Sequence, residues 1–268
     1  MPASPGSLAV PARVAYAMGL KDRNTDRIAR EYLMYGISPE VIERVVGMRG
    51  GLHCLEHIDP ARCALLVVDM QNYYLKPGFQ AEIAAAREIV PAINRAARAL
   101  RTLGGSVTWI LTAADGTDRD WSFMHEYLMS PQRRARRLAE LARGSEGYAL
   151  WPALETQPGD LTVVKRRYSA FIQGSSDLER ELRSGGIDTV LISGTSTNVC
   201  CESTARDAMM LNFRTVMLAD ALAAQNAQTH VGALTNCLLH FGDVMNVDEA
   251  LQRMAPAAAA HQALAARS

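Results

Sequence analysis

The sequence predicts an α/β fold, a mainly parallel sheet with helices packed on both of its faces. Three observations carry that expectation. Six short β-rich runs recur along the chain, at Cys63–Asp69, Ser106–Thr112, Leu161–Lys165, Asp188–Ser193, Arg214–Asp220 and Gly242–Val247. Between them lie stretches that are helical by period or composition, at Ala81–Leu103, Ser176–Gly185, Glu202–Leu211 and Gln228–Phe241. Parallel neighbours need a crossover between them, and strand–helix alternation at this spacing supplies it. Finally, 268 residues at 49% hydrophobic suffice for one full α/β core with an appendage.

In chain order, residues 1–58 read as a helical N-terminal extension. Thr25 or Asp26 can cap a helix running through Met34, and Ser38-Pro39-Glu40 is a start signal for a second one reaching Met48. Ile37, Val41, Ile42, Val45 and Val46 form an apolar stripe that a two-helix arm cannot bury alone. The extension should therefore cover its own domain or a neighbouring subunit. The main domain spans residues 59–252. Within it, Pro91 should kink the Ala81–Leu103 stretch or begin a helix there. The basic cluster Arg133-Arg134-Ala135-Arg136-Arg137 reads as a solvated helix face, and residues 253–268 as an alanine-rich, fraying tail. No G-x-G-x-x-G follows the first strand, so a dinucleotide site is not expected.

Three strand ends carry chemistry. Ala64–Val68 runs straight into Asp69, and Leu161–Val164 into Lys165. Thr189–Ser193 is followed by a Gly/Ser/Thr/Asn turn and then by Cys200 at the head of a helix-forming stretch. Ligands of open parallel sheets bind outside the carboxyl ends of the strands, so all three side chains should share one crevice. A thiol there meets unpaired backbone N–H groups and an ammonium, both of which favour thiolate, and a carboxylate beside it can move protons. Cys200 is thus the expected nucleophile. A buried structural cysteine is the competing reading of that segment taken alone.

At these residues the chain resembles the isochorismatase-like cysteine hydrolases, a family that includes nicotinamidase, N-carbamoylsarcosine amidohydrolase, biuret hydrolase and ureidoacrylate amidohydrolase. The matching segments are Leu65–Asn72, Lys165–Phe171, and Thr197–Cys200 continuing through Ser203–Ala208. Together they place the resemblance over roughly residues 59–252. The resemblance implies a three-layer α/β/α fold with a six-stranded, Rossmann-like sheet. It also implies a triad of Asp69, Lys165 and Cys200, and an oxyanion hole formed by the backbone N–H groups of Ser196 and Cys200. A cis peptide between Thr195 and Ser196 belongs to the same implied pattern. Cys201 stands where relatives more often have Val, which makes it a packing residue.

Composition excludes several other functions. With 28 basic and 28 acidic side chains the net charge is zero, which leaves no electrostatic footprint for nucleic acid or an anionic membrane. No apolar run reaches the ~18 residues of a spanning helix, and Met1–Ser7 lacks the pattern of a signal peptide. Five cysteines without C-x-x-C spacing suit free thiols in a reducing cytoplasm. Nicotinamidase-type relatives carry an Asp-x-His…His cluster after the second strand. Here Leu111–Asp120 contains Asp115, Asp118 and Asp120 but no histidine, so neither metal nor another cofactor is expected. His125 reads as structural or pocket-lining, and His230 and His240 as structural. A homo-oligomer, dimer or tetramer, is the expected assembly, with the extension at its interface as one option.

The expected reaction is hydrolysis of a C–N bond in a small ureido or carbamoyl compound through a thioester, with ammonia released. Asn72, Tyr74, Tyr168 and Phe171 are the expected substrate contacts. Arg166 or Arg167 is a candidate carboxylate anchor, with at most one of them entering the pocket because neighbours on a strand alternate faces. A simple carboxamide of the maleamate or nicotinamide kind is the alternative substrate. A non-catalytic binding or scaffold member of the fold is the alternative from a different class, against which the joint presence of Asp69, Lys165 and Cys200 argues.

Overall fold

The computed structural model of the chain describes residues 35–255. The helix expected from Thr25 or Asp26 to Met34 and the tail from residue 256 onward lie outside the described residues. The sheet has six strands, all parallel: β1 (Cys63–Val68), β2 (Ser106–Thr112), β3 (Leu161–Lys165), β4 (Thr189–Thr195), β5 (Arg214–Ala223) and β6 (Asp243–Met245). Their order across the sheet is β3-β2-β1-β4-β5-β6, so the chain works outward from β1 and then crosses to the other side at β4. β1 is therefore central, paired with β2 from Ala64↔Ser106 and with β4 from Cys63↔Thr189.

Every residue of β1 is buried, as expected of a strand covered on both faces. Its side chains alternate between two cores. Ala64, Leu66 and Val68 pack with Ile192, Ala205 and Leu234 on one face, whereas Leu65, Val67 and Cys63 pack with Ile93, Leu100 and Val216 on the other. Helices α1 (Pro39–Arg49), α2 (Val90–Thr102), α3 (Pro131–Glu140), α4 (Leu178–Ser184), α5 (Glu202–Met210) and α6 (Ala227–Asn236) are the longer ones bounding these cores. Pro91 starts a helix: a short 3₁₀ turn at Ala84–Arg87 is followed by α2, with proline in its first turn where no N–H partner is lost. The buried Ile93, Ala96, Ala97 and Leu100 give α2 its helical stripe. Helix α6 runs on into a π-helical turn over Cys237–Phe241.

Helix α1 packs on its own chain. The Ser38 hydroxyl caps it by accepting from the Val41 N–H, and Ile42, Val45 and Val46 join the core that holds Leu234 and Leu238. The segment after it is tied down by charge. His53 Nδ1 lies 3.0 Å from Asp243 Oδ1 and its Nε2 2.7 Å from Glu249 Oε1, while the Cys54 N–H donates to Asp243 Oδ2 at 2.9 Å.

The sheet positions the site through one close approach. At the end of β4, Gly194 has φ 104 and lies so near β1 that a Cβ there would sit 2.1 Å from the Val68 carbonyl oxygen. Only glycine fits, and its fit brings the loop after β4 against the residue after β1. The peptide between Thr195 and Ser196 is cis, in keeping with the resemblance.

Candidate active site

Asp69, Lys165 and Cys200 meet at the carboxyl ends of β1, β3 and β4. Asp69 immediately follows β1 and has φ 55, a left-handed conformation that aspartate tolerates better than most residues. Its N–H still donates to the Ile110 carbonyl at 2.8 Å, so the turn begins while the ladder is being satisfied. Lys165 is the last residue of β3, and Cys200 lies in a π-helical turn, Thr197–Cys201, that precedes α5. The Lys165 Nζ stands 2.9 Å from Asp69 Oδ2 and 3.5 Å from Cys200 Sγ. All three side chains are buried, and Cys200 retains 5% exposure.

A fourth side chain completes the network. Thr112, at the end of β2, accepts a hydrogen bond from Lys165 Nζ at 2.6 Å and donates one to Asp69 Oδ1 at 2.7 Å. Gln71 fixes that strand end: its Nε2 donates to the Thr112 and Tyr148 carbonyls at 3.1 and 2.8 Å, and its Oε1 accepts from the Thr112 N–H at 2.8 Å. The Lys165 ammonium also donates to the Arg167 carbonyl at 3.2 Å. Asp69 Oδ2 makes no further hydrogen bond among the described residues, which leaves it open toward the thiol. Sequence reasoning gave Thr112 and Gln71 no role. The signal available was position alone, Thr112 being the last residue of a strand beside β1 and β3.

The electrostatics differ from the thiolate expected at rest. Burial and the neighbouring Asp69 charge push the Cys200 thiol up to about 12, and Lys165 only partly offsets them. The resting cysteine is therefore a thiol, because desolvation and the Asp69 charge disfavour a second anion in this pocket more than one ammonium favours it. Burial opposes the charge on Lys165, yet Asp69 and Cys200 outweigh it and hold its pKa above the ordinary lysine value. Cys201 points elsewhere. Its Sγ faces the Ser193 carbonyl at 3.9 Å, it has no exposed surface, and burial raises its pKa well above that of a free thiol.

Cys200 opens onto a cavity of about 210 Å³. Tyr73, Tyr74, Gln80, Met124, Arg133, Arg137, Tyr168, Ser196 and Val199 are among the residues that line it. Tyr74 and Tyr168 are thus in the wall, as expected of substrate contacts. Asn72 and Phe171 are not. The Asn72 side chain donates to the Glu146 carbonyl at 2.9 Å, and Phe171 packs on Phe213 with ring centroids 5.3 Å apart. Neither Arg166 nor Arg167 enters the cavity. Arg166 pairs with Asp120, and Arg167 lies over the Trp121 ring at 5.4 Å. The Arg133–Arg137 cluster corrects another expectation. It is on a helix, but Arg137 turns inward and is 7% exposed, because its side chain fills the cavity wall beside Tyr73 and Tyr74. The histidines serve structure: His125 Nε2 lies 2.9 Å from the Thr117 hydroxyl, and His230 Nδ1 is 2.9 Å from that of Thr197, bracing the Cys200 turn. Among the described residues no group of His, Cys, Asp and Glu is arranged to hold a metal ion. Asp115 instead accepts from the Arg143 N–H at 3.2 Å. All five cysteines are free, and no helix among the described residues is long and apolar enough to cross a membrane.

Residues 63–249 match the model of the isochorismatase domain. Among solved structures, a cysteine hydrolase from Pseudomonas syringae pv. phaseolicola 1448A is 29% identical with a TM-score of 0.68, covering 75% of this chain and 95% of its own. An isochorismatase-like hydrolase from Alkaliphilus metalliredigens is 28% identical with a TM-score of 0.61, covering 71% of this chain and 98% of its own. N-carbamoylsarcosine amidase from Thermoplasma acidophilum, 24% identical with a TM-score of 0.54, covers 70% of this chain and 97% of its own and shares the fold.

Proposed function

Since the chain belongs to the isochorismatase family and its fold is that of the family's cysteine hydrolases, we propose that it is a cysteine-dependent amidohydrolase. Its substrate is a small ureido or carbamoyl compound, and its catalytic residues are Asp69, Lys165 and Cys200. The observation that carries the reading is the buried Asp69–Lys165–Cys200 cluster, with the ammonium 2.9 Å from the carboxylate and 3.5 Å from a sulfur that opens on the cavity.

The chemistry follows from the resting thiol. As Cys200 Sγ bonds to the carbonyl carbon, its proton passes to Asp69, and the carbonyl electron pair moves onto oxygen. Lys165 holds the carboxylate in place. The backbone N–H groups of Ser196 and Cys200 receive the oxyanion, and losing one such donor typically costs roughly 10²–10³ in rate. Collapse breaks the C–N bond as Asp69 returns the proton to nitrogen, and ammonia leaves. Water then attacks the thioester with Asp69 as base, the C–S bond breaks, and the thiol is restored.

Gln80 supports a ureido substrate over a plain carboxamide. Its Nε2 donates to the Tyr73 hydroxyl at 2.8 Å and the Arg133 carbonyl at 3.0 Å, which leaves its Oε1 buried in the cavity region without a partner. A buried acceptor left unpaired costs ~1–3 kcal/mol, and the second N–H of a urea can satisfy it where a carboxamide lacking that group cannot. Ammonia release across matched ureido compounds and carboxamides tests both levels. A higher kcat/KM for the ureido member and loss of turnover in Cys200→Ser are expected. A clear preference for the carboxamide defeats the ureido reading, and full activity in Cys200→Ser defeats the nucleophile.

A further inference from the structure

We infer that Arg137 is an anion-binding residue of the cavity, and that the molecule bound there carries a carboxylate at the end remote from Cys200. The inference deepens the amidohydrolase reading and rests on it only for the identity of the reacting end.

Arg137 is a buried cation that pairs with no carboxylate among the described residues. Its side chain is more than nine-tenths buried in α3, and its guanidinium carbon lies 5.9 Å from the centroid of the Tyr73 ring. The polar groups beside it are the Tyr73 and Tyr74 hydroxyls, with which it hydrogen-bonds. Its Nε has no hydrogen-bond partner, and among the described residues no carboxylate is paired with it. Two other arginines with little exposure are paired: Arg101 meets Asp160 at 2.6 Å and Arg253 meets Glu249 at 3.3 Å. An arginine cannot shed its charge by losing a proton, so an uncompensated buried one is costly unless something anionic is to join it.

Position favours a ligand as that anion. Arg137 and Cys200 line the same cavity, and Arg133, one helical turn earlier on the same face, adds a second positive charge to the wall. Guanidinium presents a planar fork of donors that matches a carboxylate. Gln80, with its open Oε1, lines the cavity along with them and can take an N–H from the body of the ligand. The cavity thus presents both cationic groups and a nucleophile. A small acid with a terminal carbamoyl or ureido group presents complementary groups to both. A neutral urea or amide leaves Arg137 unanswered.

The test uses the paired reagents iodoacetate and iodoacetamide on the whole protein, with alkylation of Cys200 followed by mass spectrometry. Both reagents react with the same sulfur and release iodide, so their rate ratio is insensitive to any change in the thiol's own pKa. Arg137→Gln should lower the iodoacetate-to-iodoacetamide ratio at least fivefold, and Arg137→Lys should retain most of it. In the unmodified protein, acetate, propionate or butyrate should slow iodoacetamide alkylation of Cys200 at concentrations where the matching alcohols do not. This second measurement needs no variant to fold. An unchanged ratio in a folded Arg137→Gln protein, or no protection by any of the three acids, overturns the inference. Neither readout requires turnover. If the protein releases no ammonia from any amide yet shows both effects, the hydrolase reading fails and the anion site stands.

Discussion

Thr112→Val removes one hydroxyl and keeps the shape of a β-branched strand residue. That hydroxyl accepts from Lys165 Nζ at 2.6 Å and donates to Asp69 Oδ1 at 2.7 Å, all inside a site without exposed surface at Asp69. Hydrogen bonds to charged groups contribute ~1.5–3 kcal/mol each, so the two together bound the loss of stability at about 3–6 kcal/mol. The lower end is expected, because Lys165 and Asp69 still face each other at 2.9 Å and Lys165 retains the Arg167 carbonyl. The kinetic consequence is separate. Without Thr112, Oδ1 is no longer fixed and the carboxylate can rotate away from the thiol, and misplacement of about 1 Å is enough for a ~10²-fold loss. Denaturant unfolding should therefore show a loss of about 3 kcal/mol, with kcat reduced about 10- to 100-fold and KM within about twofold. Thr112→Ser keeps the hydroxyl and should recover most of both. If Thr112→Val is destabilised by less than ~1 kcal/mol and turns over normally, the hydroxyl does not organise the ion pair and the reasoning is wrong.

Three further outcomes follow from the same geometry. Cys200, held up to about 12 by burial and Asp69, should alkylate slowly at neutral pH and accelerate into the alkaline range. Asp69→Asn should move that profile down and Lys165→Met should move it up, whereas a profile already flat at neutral pH would show a resting thiolate. Burial opposes charge on His53, but Asp243 and Glu249 raise its pKa above the ordinary 6.5, so its contribution to stability is fully present below 6.5 and lost as pH rises through the raised value. Burial works against ionised Asp243, yet His53, the Leu55 N–H and Arg49 outweigh it and lower its pKa below 3.8, so its contribution is present above 3.8 and lost as pH falls through the lowered value. Thermal unfolding should thus peak between these limits and the peak should flatten in His53→Gln; an unchanged profile in that variant counts against the cluster. Gly194→Ala, whose new methyl would meet the Val68 carbonyl at 2.1 Å with φ 104, should fail to give a cooperatively folded protein, and an active variant with an unaltered melt refutes the close approach as described.

What the sequence by itself determined is local. The six strands stand where alternation and β-branched runs placed them, with ends shifted by only a few residues, because a strand buried on both faces must be apolar throughout and its limits are marked by the first charge or glycine. The same rule exposed Asp69 and Lys165: a charge that ends an apolar strand is visible in one dimension, and Cys200 was visible as the thiol in the turn after a third such strand. Ser38 and Pro39 announced α1, and Pro91 announced the start of α2, since caps and prolines act through their immediate neighbours. Tertiary structure decided everything that depends on separation in sequence. Asn72 and Phe171 looked like pocket residues by adjacency to the motif, but the Glu146 carbonyl and Phe213 claim them. Arg137 looked like one of four solvated arginines, and only the packing of α3 against Tyr73 and Tyr74 distinguishes it from its neighbours. The state of Cys200 is the clearest case. Helix position and a nearby lysine, both legible in sequence, favour thiolate, whereas depth of burial and the approach of Asp69 favour thiol. Desolvation prevails because its strength is set by the whole surrounding volume, which no local run of residues encodes.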